Sequence, residues 1–251
     1  MNSTLGNSIT WLSSVDSTND EMNRRIREGV KPLPGLVIAA AEQTKGRGLG
    51  ANTWSSEAGK NLTFSLYLEP GFLSADRQFY LNMAVSLAVC QFVGSMIPGK
   101  LVKIKWPNDI YIDARKVAGI LINHAISGNE ILYSVVGIGL NVNQTFFRDD
   151  IPNPVSMQMA TNHTYELNEV LKELLSIMNR DYKLLADGHL ETLRSAYKDA
   201  LFGYYQWMRF RRNDSVISAR ITGVSESGLL QLEQPGQERI ECDLKEIEFL
   251  V

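Results

Sequence analysis

The chain has 251 residues, 44% of them hydrophobic and 21% charged, enough to bury one large core with room for a small second unit. A formal net charge of -3, with RFRR at 209–212 as the one basic run, gives no general attraction to a phosphate backbone and argues against nucleic-acid binding. Cys90 and Cys242 have no metal-ligand spacing and no disulfide pattern, MNSTLGNSIT has neither the basic start nor the apolar core of a signal peptide, and no apolar run reads as a membrane span; a cytoplasmic protein is expected.

SITWL (8–12) alternates like a strand, and SVDSTNDEMNRRIREG then starts a helix, with Thr18 and Glu21 at capping-box spacing. GLVIAAAE (35–42) and NLTFSLYLE (61–69) read as strands on either side of a long loop. From Ser74 to about Ile97, Tyr80, Met83, Ala84, Leu87, Cys90 and Val93 repeat at helical spacing, stopped by Pro98-Gly99; a buried helix is expected. LVKIKW with DIYID, KVAGILINHAI and EILYSVVGIGLNV read as consecutive hairpins, turning at 113–115 and 127–129. A loop with Pro152 and Pro154 leads into helical periodicity from Tyr165 to Leu201, broken at Gly188. From about Tyr204 the texture changes to short alternating strands with turns at Asn213-Asp214, Ser227-Gly228 and Pro235-Gly236, the pattern of a small β-barrel.

Three loops stand out chemically. KGRGLGANTW (45–54) combines glycines, which let backbone N–H groups approach an anion, with Arg47, which adds charge; it fits a carboxylate or phosphate clamp. Its spacing matches neither a dinucleotide fingerprint nor a Walker A loop, and a surface hairpin tip has the same composition. In KIKWPNDIYIDARKVAGILI (103–122), Pro107 displays Asn108 and Asp109 at a strand junction, and a hairpin brings Asp109 and Lys116 onto neighbouring strands, a pairing suited to proton transfer and phosphate stabilisation. Pro-Asn-Asp is also ordinary turn chemistry and Lys116 an ordinary edge lysine. GIGLNVN (137–143) leaves one strand face bare at Gly137 and Gly139, for a ligand or another part of the chain, while Asn141 can bond a ligand or cap a turn. Ser17, Thr18 and Asn19 can hold a polar head group or merely cap the first helix.

Taken in order, DSTN, EQTKGRG with Trp54, GKNLTFS, KWPNDI, KVAGILI and GIGLNVN resemble the biotin protein ligase family, from about residue 9 through the C-terminal segment. The resemblance implies an α+β fold: a mixed β-sheet catalytic domain flanked by helices, of the class II synthetase-like biotin/lipoate ligase type, over residues 1–202, and a small SH3-like β-barrel over 203–251. It implies that biotin and Mg-ATP form biotinyl-5'-AMP and pyrophosphate, after which a lysine of a biotin carboxyl carrier protein takes the biotinyl group. ATP and Mg2+ are the implied cofactors, and a homodimer through an exposed sheet stays open. By motif match, Ser17, Thr18, Asn19, Gln43, Gly46, Gly119, Leu121, Gly137 and Gly139 shape the biotin end. Arg47, Trp54, Asn108, Lys116 and Asn141 serve the nucleotide, with Trp54 near the adenine. Lys116, Asp109 and Arg47 carry the chemistry, Asp109 orienting or deprotonating the incoming amine.

The clamp of the family commonly reads Gly-Arg-Gly-Arg-Arg-Gly, whereas here Leu49 follows Gly48 and Ala51 follows Gly50, so weaker retention of the adenylate is expected. Asn123 stands where many members have a carboxylate. About eight residues precede the first strand, too few for the helix-turn-helix of repressor members, so no DNA binding is expected. A lipoate ligase or octanoyltransferase is the nearest rival, for which KWPNDI and a C-terminal barrel are atypical. A transferase with a cysteine nucleophile is disfavoured by the positions of Cys90 and Cys242. A non-catalytic biotin-binding protein is the alternative from another class.

Overall fold

The structure, a computed structural model, describes residues 4–50, 52–236 and 238–250. In chain order the elements are β1 (Ser8–Leu12), α1 (Thr18–Arg27), β2 (Leu36–Ala40), β3 (Leu62–Leu68), α2 (Phe79–Met96), β4 (Val102–Lys105), β5 (Asp109–Ile112), β6 (Arg115–Ser127) and β7 (Glu130–Leu140). There follow α3 (Met157–Thr161), α4 (Leu167–Ala186), α5 (Leu190–Ala200), β8 (Trp207–Arg212), β9 (Ser215–Val224), β10 (Leu230–Glu233), β11 (Ile240–Cys242) and β12 (Ile247–Phe249).

The first seven strands form a mixed sheet in the order β1-β2-β3-β7-β6-β5-β4, parallel between β1 and β2 and antiparallel at the other pairings. Period-two alternation sorts β3 onto two faces. Leu62, Phe64, Leu66 and Leu68 join the main core with α2 and α4, while Tyr67 packs under Met22 of α1 on the other side. Ser65 faces that side too, reaching Thr18 and Asn19 at the start of α1. The sheet therefore has a helix-covered core face and a second face that α1 covers only in part. That uncovered part holds the site.

α2 is the central helix, buried from Tyr80 to Val93 except at Asn82 and the exposed Gln91, and packed against α4, α5 and β4. The segment Ala75–Met96 is long and apolar enough to span a membrane, with a mean hydropathy of 1.4, contrary to the expectation that no run approaches that character. Of its apolar 18-residue window 67% is buried inside the protein, so the core accounts for its apolarity. A 3-10 turn at Ala75–Arg77 precedes the helix, which starts later than the Ser74 cap predicts.

The last five strands form an antiparallel sheet in the order β11-β10-β9-β8-β12. They stand where a small barrel is expected, but β11 and β12 are edges, and among the described residues no sheet closes on itself. The two sheets are tied at Trp106, whose indole N–H donates to the carbonyl of Gly228 at 2.9 Å. Gly228 has φ +97, and a β-carbon there would lie 2.4 Å from the Phe79 ring, so this junction requires glycine on both counts.

Candidate active site

Lys116 Nζ lies 2.7 Å from Asp109 Oδ1, as the predicted hairpin requires, and a departure from regular pairing makes the contact possible. Counting back from Gly119 on the open face, strict alternation would turn Lys116 toward the helices. The β5–β6 register shifts between Ile110 and Tyr111: Ile110 pairs with Ala118, but Tyr111 pairs with Lys116. Val117 is the extra residue, and both it and Ala118 enter the core. The bulge returns Lys116 to the open face beside Asp109. The turn before β5 is held equally firmly, because the Pro107 carbonyl accepts from Asn82 Nδ2 at 2.8 Å and from the Tyr197 hydroxyl at 2.9 Å.

The start of α1 makes a polar ledge. Ser17, not Thr18, is the N-cap, its side chain accepting from the Asp20 amide, so the cap falls one residue before the one that the Thr18–Glu21 spacing predicts. Thr18 is otherwise engaged: its amide and hydroxyl both donate to Gln43 Oε1, at 2.7 and 3.1 Å. The Ser65 hydroxyl reaches Thr18 Oγ1 at 2.7 Å and also Asn19 Oδ1. Asn19 Nδ2 donates to the Leu121 carbonyl at 3.4 Å and to Asn123 Oδ1 at 3.3 Å, which shows what the neutral residue at 123 does: it accepts from the ledge.

Beside the ledge, β6 and β7 pair Gly119 with Gly139 and Leu121 with Gly137, giving a floor nearly free of side chains. The chain's own side chains use the space. A β-carbon at Gly137 would lie 2.4 Å from Asn19 Oδ1, and one at Gly139 would lie 2.3 Å from Trp54 Cε2. Trp54 thus lies on the floor, its buried Nε1 without a hydrogen-bond partner among the described residues.

The glycine-rich loop folds back as a hairpin. Gly48 N–H donates to Asn52 O at 2.9 Å, Trp54 N–H donates to Gly46 O at 2.9 Å, and Gly50 turns the tip at φ +65. Gly46 is needed because a β-carbon there would stand 2.3 Å from the Trp54 carbonyl. Ala51, part of the departure from the family's clamp, lies outside the described residues. Arg47 Nε is 2.8 Å from Asp20 Oδ2, so the clamp arginine is moored to α1.

Ledge, floor, hairpin and the Asp109–Lys116 pair surround a cavity of about 460 Å³. Two residues expected to contact the nucleotide are hydrogen-bonded to the backbone. Asn108 lines the cavity, but its amide donates to the Ile120 carbonyl across the hairpin. Asn141 is turned away: buried, it donates to Val155 O at 3.1 Å and to Lys116 O at 3.5 Å, pinning the backbone beneath Lys116 instead of reaching the cavity. Conversely, Ser65 underpins the ledge and Lys105 and Phe249 line the cavity, with little signal in the sequence. Ser65 interrupts an apolar strand, Lys105 repeats Lys103 at period two, and Phe249 sits in a three-residue strand too short to show alternation. Neither cysteine is a nucleophile here: Cys90 is buried in α2, where desolvation pushes its thiol up to about 11, and Cys242 is buried in β11.

The sequence profile described as the Biotin/lipoate A/B protein ligase family matches residues 11–141, just over half the chain. The bifunctional ligase/repressor BirA of Bacillus spizizenii is 27% identical over 236 residues, covering 91% of this chain and 70% of that protein. A biotin-acetyl-CoA-carboxylase ligase of Paracoccus denitrificans is 29% identical over 240 residues, covering 91% of this chain and 95% of that one. Among solved structures, the biotin protein ligase of Aquifex aeolicus in complex with biotin and ATP has a TM-score of 0.78 at 24% identity, over 96% of this chain and 98% of that one, which establishes a shared fold. The matched span contains the ledge, the clamp, the Asp109–Lys116 pair and the glycine floor, and by that match the chain belongs to the biotin/lipoate A/B protein ligase family.

Proposed function

We propose that this cavity carries out both half-reactions of a biotin protein ligase. The chain is an enzyme that joins biotin to a lysine of a biotin carboxyl carrier protein, using ATP. In the first step a biotin carboxylate oxygen attacks the α-phosphorus; the bond to the β-phosphate breaks and pyrophosphate leaves with the electron pair, giving biotinyl-5'-AMP. In the second, the carrier amine attacks the acyl carbon, a C–N bond forms, the acyl C–O bond breaks and AMP departs.

The observation that carries this reading is the Asp109–Lys116 pair, 2.7 Å apart, set beside a side-chain-free floor and a polar ledge. Lys116 stabilises charge on the carboxylate and α-phosphate, and Asp109 receives or steers the proton of the attacking amine. Ser17, Thr18, Asn19 and Gln43 bind the polar end of biotin, and Trp54 lies between biotin and adenine on the floor. Arg47 leaves Asp20 to meet the ligand's negative charge. Mg2+ enters as part of Mg-ATP, carried by the phosphates. In the same reading, residues 1–202 are the catalytic domain and 203–251 an SH3-like unit, supported by five antiparallel strands in the latter span.

The test is intact-mass analysis of an apo carrier domain incubated with this protein, Mg-ATP and either biotin or lipoate. A biotin-sized gain on the carrier lysine, lost in Lys116→Ala, is expected. Transfer of lipoate instead would keep the fold assignment and overturn the substrate, and biotin binding without transfer would favour a non-catalytic binding protein.

A further inference from the structure

Three cations line the cavity, and two of them are already matched. Arg47 lies 2.8 Å from Asp20 and Lys116 lies 2.7 Å from Asp109. Lys105 has no carboxylate partner among the described residues. Its Nζ is 3.3 Å from the Tyr111 hydroxyl and lies 5.2 Å from the ring centroids of both Tyr111 and Phe249, the latter brought in by the second sheet. Such ring faces hold a cation without neutralising it.

Position adds to the argument. The registers set Lys105 opposite Asp109, Asp109 opposite Gly119, and Gly119 opposite Gly139, so the four form one row across the sheet. Trp54 covers the glycine end of that row. Lys105 lies two strand spacings from Gly119, about 10 Å, a distance that an extended triphosphate spans. Leu49 also lines the cavity from the hairpin and brings no charge to it. Burial lowers the Lys105 ammonium's pKa from its ordinary value, opposed by Asp109, reinforced by Lys116 and opposed again by Glu248, so the group gains from a new anionic partner.

We propose that Lys105 is the polyphosphate-binding cation of this site. It holds the β- and γ-phosphates of ATP and then the departing pyrophosphate, while Lys116 serves the α-phosphate; in doing so it supplies charge that Leu49 omits. The assignment rests on the ligase reading and deepens it.

The experiment is calorimetric titration of the wild type, Lys105→Met and Lys105→Arg with ATP, AMP and inorganic tripolyphosphate, the alcohol analogue of biotin filling the biotin end without reacting. In Lys105→Met, affinity for ATP and tripolyphosphate falls at least about tenfold, the loss of one charge-assisted contact, while AMP and the biotin alcohol bind as before. Lys105→Arg recovers most of the loss. Unchanged ATP affinity in Lys105→Met, or equal losses for ATP and AMP, overturns the proposal. Should Lys105→Met fail to fold, reductive methylation of the wild type decides: tripolyphosphate protects Lys105 if the assignment is right and leaves it reactive if it is wrong. If the wild type binds ATP with the Lys105 dependence described yet releases no pyrophosphate with biotin, the ligase reading fails and the phosphate assignment stands.

Discussion

The Gly139 backbone and the Trp54 indole touch so closely that a β-carbon at position 139 would stand 2.3 Å from ring atom Cε2. Gly139→Ala must therefore lift the indole off the floor. The overpacking costs about 1–3 kcal/mol of stability if it is absorbed within the fold. Tryptophan emission should shift as the ring moves into water, and pyrophosphate release should fall at least about tenfold from misplacement of the ligand's neighbour. An unshifted emission spectrum with full activity would show that the ring tolerates the methyl group.

The two members of the Asp109–Lys116 pair should separate the half-reactions. Lys116→Ala reduces biotin-dependent pyrophosphate release by about 10²–10³, the scale of losing one electrostatic contact in a transition state. Asp109→Asn leaves that step largely intact but slows transfer from preformed biotinyl-5'-AMP to the carrier by about 10²–10⁴. Equal slowing of both steps by Asp109→Asn would refute its role toward the amine.

At the hairpin tip, Leu49 faces the cavity without charge. Leu49→Arg should slow dissociation of biotinyl-5'-AMP about tenfold, the effect of one added charge-assisted contact. Stopped-flow measurement of adenylate release from both proteins checks this; identical off-rates would mean that adenylate retention does not depend on position 49.

Burial raises the Cys90 thiol to about 11 from an ordinary 9.0. Because the unfolded chain releases this proton first, the contribution of Cys90 to stability is complete below pH 9 and declines as pH rises from 9 toward 11, by about 2–3 kcal/mol in all. Tyr111 and Tyr182, both pushed up to about 12 by burial, add declines of the same sign at higher pH. Urea unfolding across pH 8–10.5 should show falling stability, with a shallower fall in Cys90→Ala. Matching slopes in the two proteins would contradict the assignment to Cys90. Thiol alkylation of the folded protein at pH 7 should leave activity unchanged.

Trp106→Phe keeps the ring's bulk but leaves the buried Gly228 carbonyl without its donor. Unfolding free energy should drop by about 1–3 kcal/mol, measured by chemical denaturation. A loss too small to measure would show that water or another donor replaces the indole at that junction.

Much of this architecture is legible before any coordinates, for identifiable reasons. NLTFSLYLE declares itself because its leucines and Phe64 alternate with Thr63 and Ser65, a local signal that survives although β3 is buried along its whole length, and α2 because its apolar residues recur at helical spacing. Glycines at 119, 137 and 139 and the Asp109–Lys116 spacing likewise survive as patterns. What escapes is decided by tertiary partners. Thr18 has the spacing of a cap, yet Gln43 and Ser65 claim its hydroxyl and the cap passes to Ser17. Asn141 sits in the glycine-rich motif, yet the Val155 carbonyl draws it inward. The bulge at Val117 leaves no mark in a run of apolar residues, although it aims Lys116. Phe249 reaches the cavity from more than a hundred residues away, a distance over which no periodicity can speak.

The mooring of Arg47 to Asp20 sets a threshold for what can engage the clamp. An incoming anion does not meet an idle guanidinium; it must outbid a carboxylate already 2.8 Å away. A lone carboxylate offers no gain over Asp20, since one such pair merely replaces another of similar strength. A ligand that joins phosphate oxygens to its acyl group offers more charge and more acceptors, and it tips the exchange. Selectivity at this loop thus includes a competition between an internal and an external anion, a mild one because the Arg47 side chain is 63% exposed.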